Sequence, residues 1–504
     1  MEVMPIPDIS TRPAIPNQCE EDVLADEIIE DVPGVGEALV ISYKLIEGAT
    51  RGGKILLADS LGYTYTEKSL GKMKIQREGK KTWRCSVRSK SLTCPATVSQ
   101  DGDVFTRGSR HHVHEAQPNA GITAEVTAAA KKLAREQENM FKSAATLVDR
   151  AIMQMEGSGT ATVNAVYIGR NVNRLRQKDR PSEPKTLDFE LVEDYIPKEF
   201  LQKDIILHNA RHLVFATTNQ LSLLKNAKTW YMDATYRVVR KPFLQLFGIH
   251  AFVKGTDGNI KQVPLVFTVM SGKRKKDYRK VLKAILEVTG ECNVEKLVMD
   301  FEMALWSAVR TLLPMAKLQG CSFHWNQAIW RKVQSLGLAV PYINHRPTQD
   351  FIRQIMALPF LPGEHIEPTF NHLQSRAPAG PILELMSYVK ETWITGLWSP
   401  NEWTVFGQSI RTNNDLEGYH RRLNGSAGNS HIPFYVLVPL LYKESSYVDV
   451  QVRLVRDGKL ARYQRKKYKS LQGQIFTLWN KYESHEITTD HLLKACSRLS
   501  GPTT

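Results

Sequence analysis

The sequence predicts an α+β chain of several domains: a small β-rich N-terminal domain, a mixed α/β core that carries an all-helical insertion, and a helical C-terminal tail. Three observations predict this. Short strand-like runs separated by Gly and polar turns fill residues 53–116. Three long strand-like runs, then alternating helix and strand patterns, fill 227–335. From residue 336 onward the pattern is helical. A length of 504 residues fits about three domains.

Residues 1–40 hold ten acids and one base, Arg12, so this head carries −9 and leaves +24 on the rest of a chain whose total is +15. With Pro5, Pro7, Pro13, Pro16 and Pro33 and no sustained period, residues 1–50 read as an acidic disordered segment. The positive excess belongs to the folded part, and its simplest partner is nucleic acid. The longest apolar run, Phe434 to Tyr442, is far short of the roughly 20 residues of a spanning helix, so no membrane partner is expected. The N-terminus lacks a basic region followed by an apolar stretch, which argues against secretion. Six Cys in a chain this long are expected as reduced thiols or metal ligands rather than a disulfide scaffold.

Along residues 51–117 the expected strands are Ile55–Ala58, Tyr63–Thr66, Lys81–Val87, Ala96–Ser99 and Val104–Thr106. A helix-rich linker, 118–200, follows, with one helix over 122–156 and a basic one over Asn164–Gln177. It is a possible DNA-binding module, although it has no helix-turn-helix signature. The first part of the core, 201–335, contains strands Thr229–Val238, Leu244–Val253 and Lys261–Met270. A helix over Asp277–Thr289 comes next, then a strand Leu297–Met299, a helix Met303–Leu313, a strand Lys317–Ser322, and a helix from His324. Three strands followed by αβαβα match the element order of an RNase H-like core. A helical insertion spans 336–410, a final core helix 411–430, and a basic helical tail 431–504.

Two constellations carry chemistry. In the first, eight residues separate Cys85 from Cys94, seventeen separate Cys94 from His112, and His114 follows at i+2. Two thiolates and two imidazoles complete a tetrahedral zinc set, and a His-x-His pair suits an extended strand, where i and i+2 share a side. A fragment of about 60 residues with few large aliphatics gains from such a staple. Buried small-core cysteines and surface histidines are the plain alternative. His111 does not share the strand face of His114.

In the second, Asp233 sits inside the apolar run Trp230–Tyr236, and Asp300 ends the run Lys296–Met299. A carboxylate in an apolar strand is costly unless it is paired or binds a cation. Two of them form a cradle for a hard divalent ion. Asp300 reads equally well as the N-cap of the helix after it. The segment Arg411–Asn424 starts with cap-like residues and continues as a helix. On it Asn413, Glu417 and Arg421 share a face, so Glu417 is either a third carboxylate or an i,i+4 partner of Arg421. Asp415 points to another face. Cys321 and His324, at a strand end and a helix start, are either active-site neighbours or a buried thiol and a packed imidazole.

Two resemblances bear on these residues. Leu56-Leu57, Gly62, Tyr65, Trp83-Arg84-Cys85, Cys94-Pro95-Ala96 and His112-Val113-His114 resemble the FLYWCH zinc finger, with Leu56 where that family usually has Phe. This implies one structural Zn²⁺ on Cys85, Cys94, His112 and His114, and a role in DNA or protein contact. Thr229–Tyr236, Val298–Ala304, Cys321–Ala328 and Thr412–Glu417 with His420 resemble the four motifs of Mutator-like (MULE) transposases over roughly residues 200–430. That resemblance implies a DDE-type transposase whose catalytic residues are Asp233, Asp300 and Glu417. They would hold two Mg²⁺ or Mn²⁺ ions, with Cys321 and His324 beside the site. It also implies double-stranded DNA partners (transposon terminal repeats and target), a homo-oligomer assembled on DNA, and a nuclear location. A domesticated, non-catalytic DNA-binding descendant is the rival expectation. Candidate DNA contacts are Lys273, Arg274, Lys275, Lys276, Arg421, Arg422, Arg465, Lys466 and Lys467, which otherwise read as solvated basic faces.

Overall fold

In the strand Lys80–Cys85 the side chains of Trp83 and Cys85 are buried while Arg84 between them is only partly so. This is the period-2 pattern of a sheet with one wet face. The computed structural model describes residues 40–48, 54–68, 80–89, 91–140, 142–155, 163–410, 414–463 and 466–499. The chain divides into two units: the described residues to Leu45 with Leu57–Gly121, and Ile46–Leu56 with the residues from Ile122 onward.

The first unit is built on a six-stranded meander in chain order: β1 (Tyr43–Ile46), β2 (Leu56–Asp59), β3 (Thr64–Glu67), β4 (Lys80–Cys85), β5 (Thr97–Asp101) and β6 (Val104–Arg107). Leu57, Tyr65, Trp83, Cys85, Cys94 and Val98 are buried, and the Trp83 indole N–H donates to Gln100. Strand β1 falls within the span expected to be disordered. The remainder of that acidic head, 1–39, lies outside the described residues. Residues 111–118 are irregular rather than the strand expected for the His-x-His pair. Gly62 holds them in place. It has φ +92°, and a Cβ there would lie 2.5 Å from the carbonyl oxygen of Gln117, whose own N–H donates to Gly62.

In the second unit, α1 (Ala120–Arg135), α2 (Ala144–Met153) and α3 (Ala165–Lys178) share a small core of Val126, Leu133, Leu147, Val148, Ile168 and Val172. The single helix expected over 122–156 is broken. Asn139 is fully buried and donates to the carbonyl of Leu133, and Ser143 starts a new helix by accepting from the backbone N–H of Thr146.

The core is a seven-stranded sheet made of β7 (Leu201–Leu207), β8 (Ala210–Phe215), β9 (Thr229–Thr235), β10 (Gln245–Lys254), β11 (Ile260–Met270), β12 (Lys296–Met299) and β13 (Lys317–Gly320), in the order β13-β12-β9-β10-β11-β8-β7. The pairings β9–β12 and β12–β13 are parallel and the others antiparallel. Strands β7 and β8 and the helix α4 (Thr218–Asn226) were not anticipated. β8 is buried throughout, yet it carries Arg211 and His212, which hide its apolar run. The Arg211 guanidinium is satisfied by Asp204 and by the carbonyl of Leu187.

Helices α5 (Lys275–Thr289), α6 (Met303–Leu312) and α7 (Ser322–Ser335) cover the sheet face formed by Trp230, Met232, Phe247, Ile249, Leu297 and Met299. The other face is covered by α13 (Asn414–Ala427) and α14 (Phe434–Arg456), through Tyr419, Leu423, Phe434, Leu437 and Leu441. Between α7 and α13 the helices α8 (Ala339–Asn344), α9 (Arg346–Ala357), α10 (Gly363–Ser375), α11 (Pro381–Val389) and α12 (Pro400–Trp403) form the insertion, which packs with α15 (Lys466–Glu483) and α16 (Thr489–Leu499). Trp325 stacks on Trp403 with ring centroids 4.4 Å apart, and Phe301 meets Trp393 edge-on at 4.5 Å, so aromatic packing joins the insertion to the sheet. Among the described residues no helix is long and apolar enough to cross a membrane.

Candidate functional site

The acidic residues meet because of strand register. In the parallel pair β9–β12, Tyr231 lies opposite Val298. The ladder ends there; Asp233 stands two residues further along β9 and Asp300 just past the end of β12, so the two acids lie at one end of the pair, and the charge of Asp300 acts on Asp233. In the parallel pair β12–β13, Met299 lies opposite Gly320, so Cys321 is next in the row after Asp300, and its N–H donates to Met299 at 3.1 Å. Gly320 is required here: a Cβ would lie 2.2 Å from the ring of Phe301, which crosses it. On the other side of β9, Gly248 of β10 lies opposite Asp233, and the ring of buried His250 lies over it, 3.1 Å from where a Cβ would stand.

Helix α13 closes the row from above. Leu416 is fully buried against Tyr231 and Val298, which directs Glu417 and His420, one turn on, over the aspartates. The Nδ1 of His420 is 3.8 Å from a carboxylate oxygen of Asp233. The N-terminus of α13 is fixed by a half-buried ion pair, Arg462 to Asp415 at 2.6 Å. Asp415 is thus spent on that contact and kept out of the acid row.

Burial, the neighbouring charge of Asp300 and that of Glu417 push Asp233 up to about 7. Burial and the charge of Glu302 push Asp300 up to about 6, and burial also raises Glu417, whose Oε1 has no hydrogen-bond partner. Burial and the charge of His324 press His420 down to about 4. Burial likewise presses His324 to about 4, and its Nδ1 is unpartnered. The result is a set of acids, Asp233 buried and Asp300 and Glu417 half-buried, with neutral imidazoles beside it, a donor chemistry suited to hard divalent cations. Among the described residues, the group whose donor atoms gather as a metal site is the Cys/His one described below; the three acids do not gather in that way.

Four residues around the acids were not singled out in the sequence: Glu302, Tyr278, Gln245 and His250. Glu302 accepts from the Tyr278 hydroxyl, the Tyr278 hydroxyl accepts from Gln245, and buried His250 packs its ring 4.8 Å from Tyr419 beneath α13. Glu302, two residues from Asp300, was visible as a second acid at the same strand end. A lone His in an apolar strand gave no such signal.

The cysteine–histidine group converges fully. The donor atoms of Cys85, Cys94, His112 and His114 all lie within 4.8 Å of one another. Cys85 Sγ is 3.2 Å from His114 Nε2, Cys94 Sγ is 3.4 Å from His112 Nδ1, and the two nitrogens are 3.4 Å apart. Zinc bond lengths of about 2.3 Å to sulfur and 2.0–2.1 Å to nitrogen imply tetrahedral edges of roughly 3.3–3.6 Å, so the set can hold zinc. The other ring nitrogens are fixed as well. His112 Nε2 is 3.0 Å from the Tyr65 hydroxyl, which donates to Asp59, and His114 Nδ1 faces the carbonyl of Glu115 at 2.9 Å. Burial lowers His112 to about 4 and raises the Cys85 thiol to about 11, so a cation is needed to hold thiolate there.

The basic candidates divide. Lys273 reaches the Tyr236 hydroxyl at 3.4 Å, and its charge acts on Asp300 and Glu302, so it stands at the acid site. Lys275, Lys276 and Arg421 are exposed. Arg274 pairs with Asp277, the cap of α5, and Arg422 pairs with buried Glu444, so both charges are neutralised within the fold. Arg465 lies outside the described residues, and Lys466 and Lys467 open α15.

Residues 229–328 match the family model of the MULE transposase domain. The matched segment runs from β9 into α7, about a fifth of the chain, and includes Asp233, Asp300, Cys321 and His324 but not Glu417. No curated protein matches the chain.

Two outcomes are expected. The purified chain carries one zinc, and chelation or Cys94→Ser exposes residues 57–121 to limited proteolysis while the core resists; metal analysis and mass spectrometry of the fragments check both. The second concerns pH. Asp233 and Asp300 have folded pKa values above those of the unfolded chain. Each therefore stabilises the cation-free protein at low pH and loses that contribution as pH rises from about 4 to 7. Without divalent cation, Asp233→Asn melts above wild type at pH 8, by roughly 2–4 °C per kcal/mol, and the difference vanishes near pH 4. Subtracting wild type from variant cancels the opposite contribution of the buried histidines. Added Mg²⁺ raises the melting temperature of wild type alone.

Proposed function

We propose that the chain is a DDE-type DNA transposase of the Mutator-like class, cleaving DNA at transposon ends and joining the freed strand to target DNA. One observation carries the reading: buried Asp233 in β9 and half-buried Asp300 just past the end of the neighbouring parallel strand β12, met by Glu417 from a helix that closes over them. The family match over residues 229–328 supports it independently. The order β11-β10-β9-β12-β13, with the last two pairings parallel, supports an RNase H-like core. The clustered Cys85, Cys94, His112 and His114 support a FLYWCH-type finger that holds transposon-end DNA.

In this reading Asp233, Asp300 and Glu417 hold Mg²⁺ or Mn²⁺. The ions, when bound, stabilise the attacking and leaving oxygens of phosphodiester cleavage and make a bound water acidic. The protein's own part is positional. β9 and β12 set two carboxylates at one end of their pair, and α13 brings the third. His420, neutral at physiological pH, presents Nδ1 toward Asp233 as a proton acceptor. Lys273 brings positive charge to the mouth of the site, where a phosphate would enter. A nuclear location follows from such a substrate.

The test is strand transfer by the full chain with Mg²⁺ on duplexes bearing the inverted repeats that flank its gene. Wild type cleaves and joins, and Asp233→Asn, Asp300→Asn and Glu417→Gln each lose about 10³-fold or more. Absence of cleavage and joining on those ends by wild type, with binding retained, overturns the enzyme reading in favour of a domesticated DNA-binding protein. Cleavage without joining points to a plain nuclease instead.

A further inference from the structure

Helix α3 contains four basic residues and no acid: Arg170, Arg174, Arg176 and Lys178. Only one of the four is used by the fold. The Arg176 guanidinium turns inward and donates to the carbonyls of Lys142 at 2.8 Å and Asn139 at 2.7 Å, the turn that separates α1 from α2. Ile168 and Val172 are fully buried against α2, including Leu147, Val148 and Ala151. These two contacts fix the rotation of α3 about its own axis. They leave Tyr167, Arg170, Asn173, Arg174 and Gln177 exposed at i, i+3, i+6, i+7 and i+10, along one stripe. Among the described residues no carboxylate pairs with Arg170 or Arg174, and Tyr167 is 54 % exposed.

We propose that α3 is a sequence-reading helix that enters the major groove of double-stranded DNA. The occupant follows from the chemistry of the stripe. Arg pairs bidentately with guanine and Asn or Gln with adenine at major-groove edges, and an uncompensated pair of guanidiniums suits the phosphates at its rim. Helix α3 has 14 residues and is thus about 21 Å long, enough to lie in a groove about 12 Å wide. The deep, narrow major groove of double-stranded RNA does not admit a helix, and single strands offer no groove. A solvated face is commonly laced with both signs of charge, and this one has a single sign with amide side chains between. The three helices thus supply a recognition element distinct from the Cys/His group and from the acid row. The inference deepens the transposase reading by giving that enzyme a second means of finding its DNA. It can fail on its own, because it concerns binding and needs no catalysis.

The test uses the full chain without added divalent cation, fluorescence anisotropy on a pool of random-sequence 30-base-pair duplexes across a salt series, and rounds of selection from that pool. Arg170→Ala with Arg174→Ala weakens duplex binding at least about tenfold and reduces the salt slope by about two. Asn173→Ala with Gln177→Ala leaves the slope in place and relaxes the base preference of the selected sites about tenfold. Arg170→Lys with Arg174→Lys keeps the slope and loses the preference, which separates base reading from charge even if the alanine pair is destabilised. Wild-type affinity, slope and selected sequence in all three variants would overturn the proposal. So would binding of double-stranded RNA or single-stranded DNA as tight as that of the duplex. A chain that passes this test yet fails strand transfer loses the enzyme reading and keeps the reading helix.

Discussion

Two carboxylates held at one end of neighbouring parallel strands and screened from water cannot both remain ionised without a cation. The pairing of β9 with β12 imposes this on Asp233 and Asp300, and much of the second unit is arranged around the result. Among the described residues no arginine acts on the two aspartates, whereas Arg421 acts on Glu417: the imidazoles of His420 and His324 are held neutral by burial, and Lys273, whose charge acts on Asp300, lies at the rim. The raised pKa values of Asp233, Asp300 and Glu417 record that unmet demand. A stable fold would gain by replacing such a set with apolar residues. Keeping it is the signature of a site rather than of a scaffold.

The surrounding packing keeps the row in place. Below the sheet, Phe301 wedges against Gly320 and into the tryptophans of the insertion, which fixes the ends of β12 and β13, where Asp300 and Cys321 stand. Above it, Leu416 against Tyr231 and Val298, and the Arg462–Asp415 pair, set the position of α13 and hence of Glu417. The long insertion separates Glu417 from the two aspartates in sequence but shares its core with them. The tail binds back through Trp479, whose indole N–H donates to Phe360. Distant segments are therefore coupled to the geometry of three side chains.

Much of this was legible in the sequence because it rested on local patterns. An Asp in the middle of Trp230–Tyr236 breaks an apolar run at a cost that needs a reason, and the five strands β9–β13 each stood out as a strand-like or apolar run. The convergence of Cys85, Cys94, His112 and His114 was legible from donor chemistry, although the backbone that presents the histidines is a loop pinned at Gly62 rather than a strand. What escaped had physical causes. β7 and β8 hid behind Arg211 and His212, polar residues buried by long-range partners that no window of sequence contains. The break after α1 depends on Asn139 reaching back to Leu133, one side chain in an otherwise helical run. The neutralisation of Arg274 by Asp277 and of Arg422 by Glu444 is likewise a matter of partners, and a basic run in the sequence does not reveal it.

The first unit and the acid row use opposite solutions to the same problem. In one, soft donors close tightly around a single position, with Tyr65, Asp59 and Glu115 fixing the outer nitrogens. In the other, hard donors stay more open, and in the proposed transposase reading the open positions would take substrate oxygens. The account therefore stands on the three acids acting as one cation-demanding site. Calorimetric titration of the full chain with Mn²⁺ measures this most directly, with Asp233→Asn, Asp300→Asn and Glu417→Gln titrated alongside. The account predicts saturable binding by wild type that is weakened at least about tenfold by each single substitution. Equal binding by wild type and all three variants would contradict it.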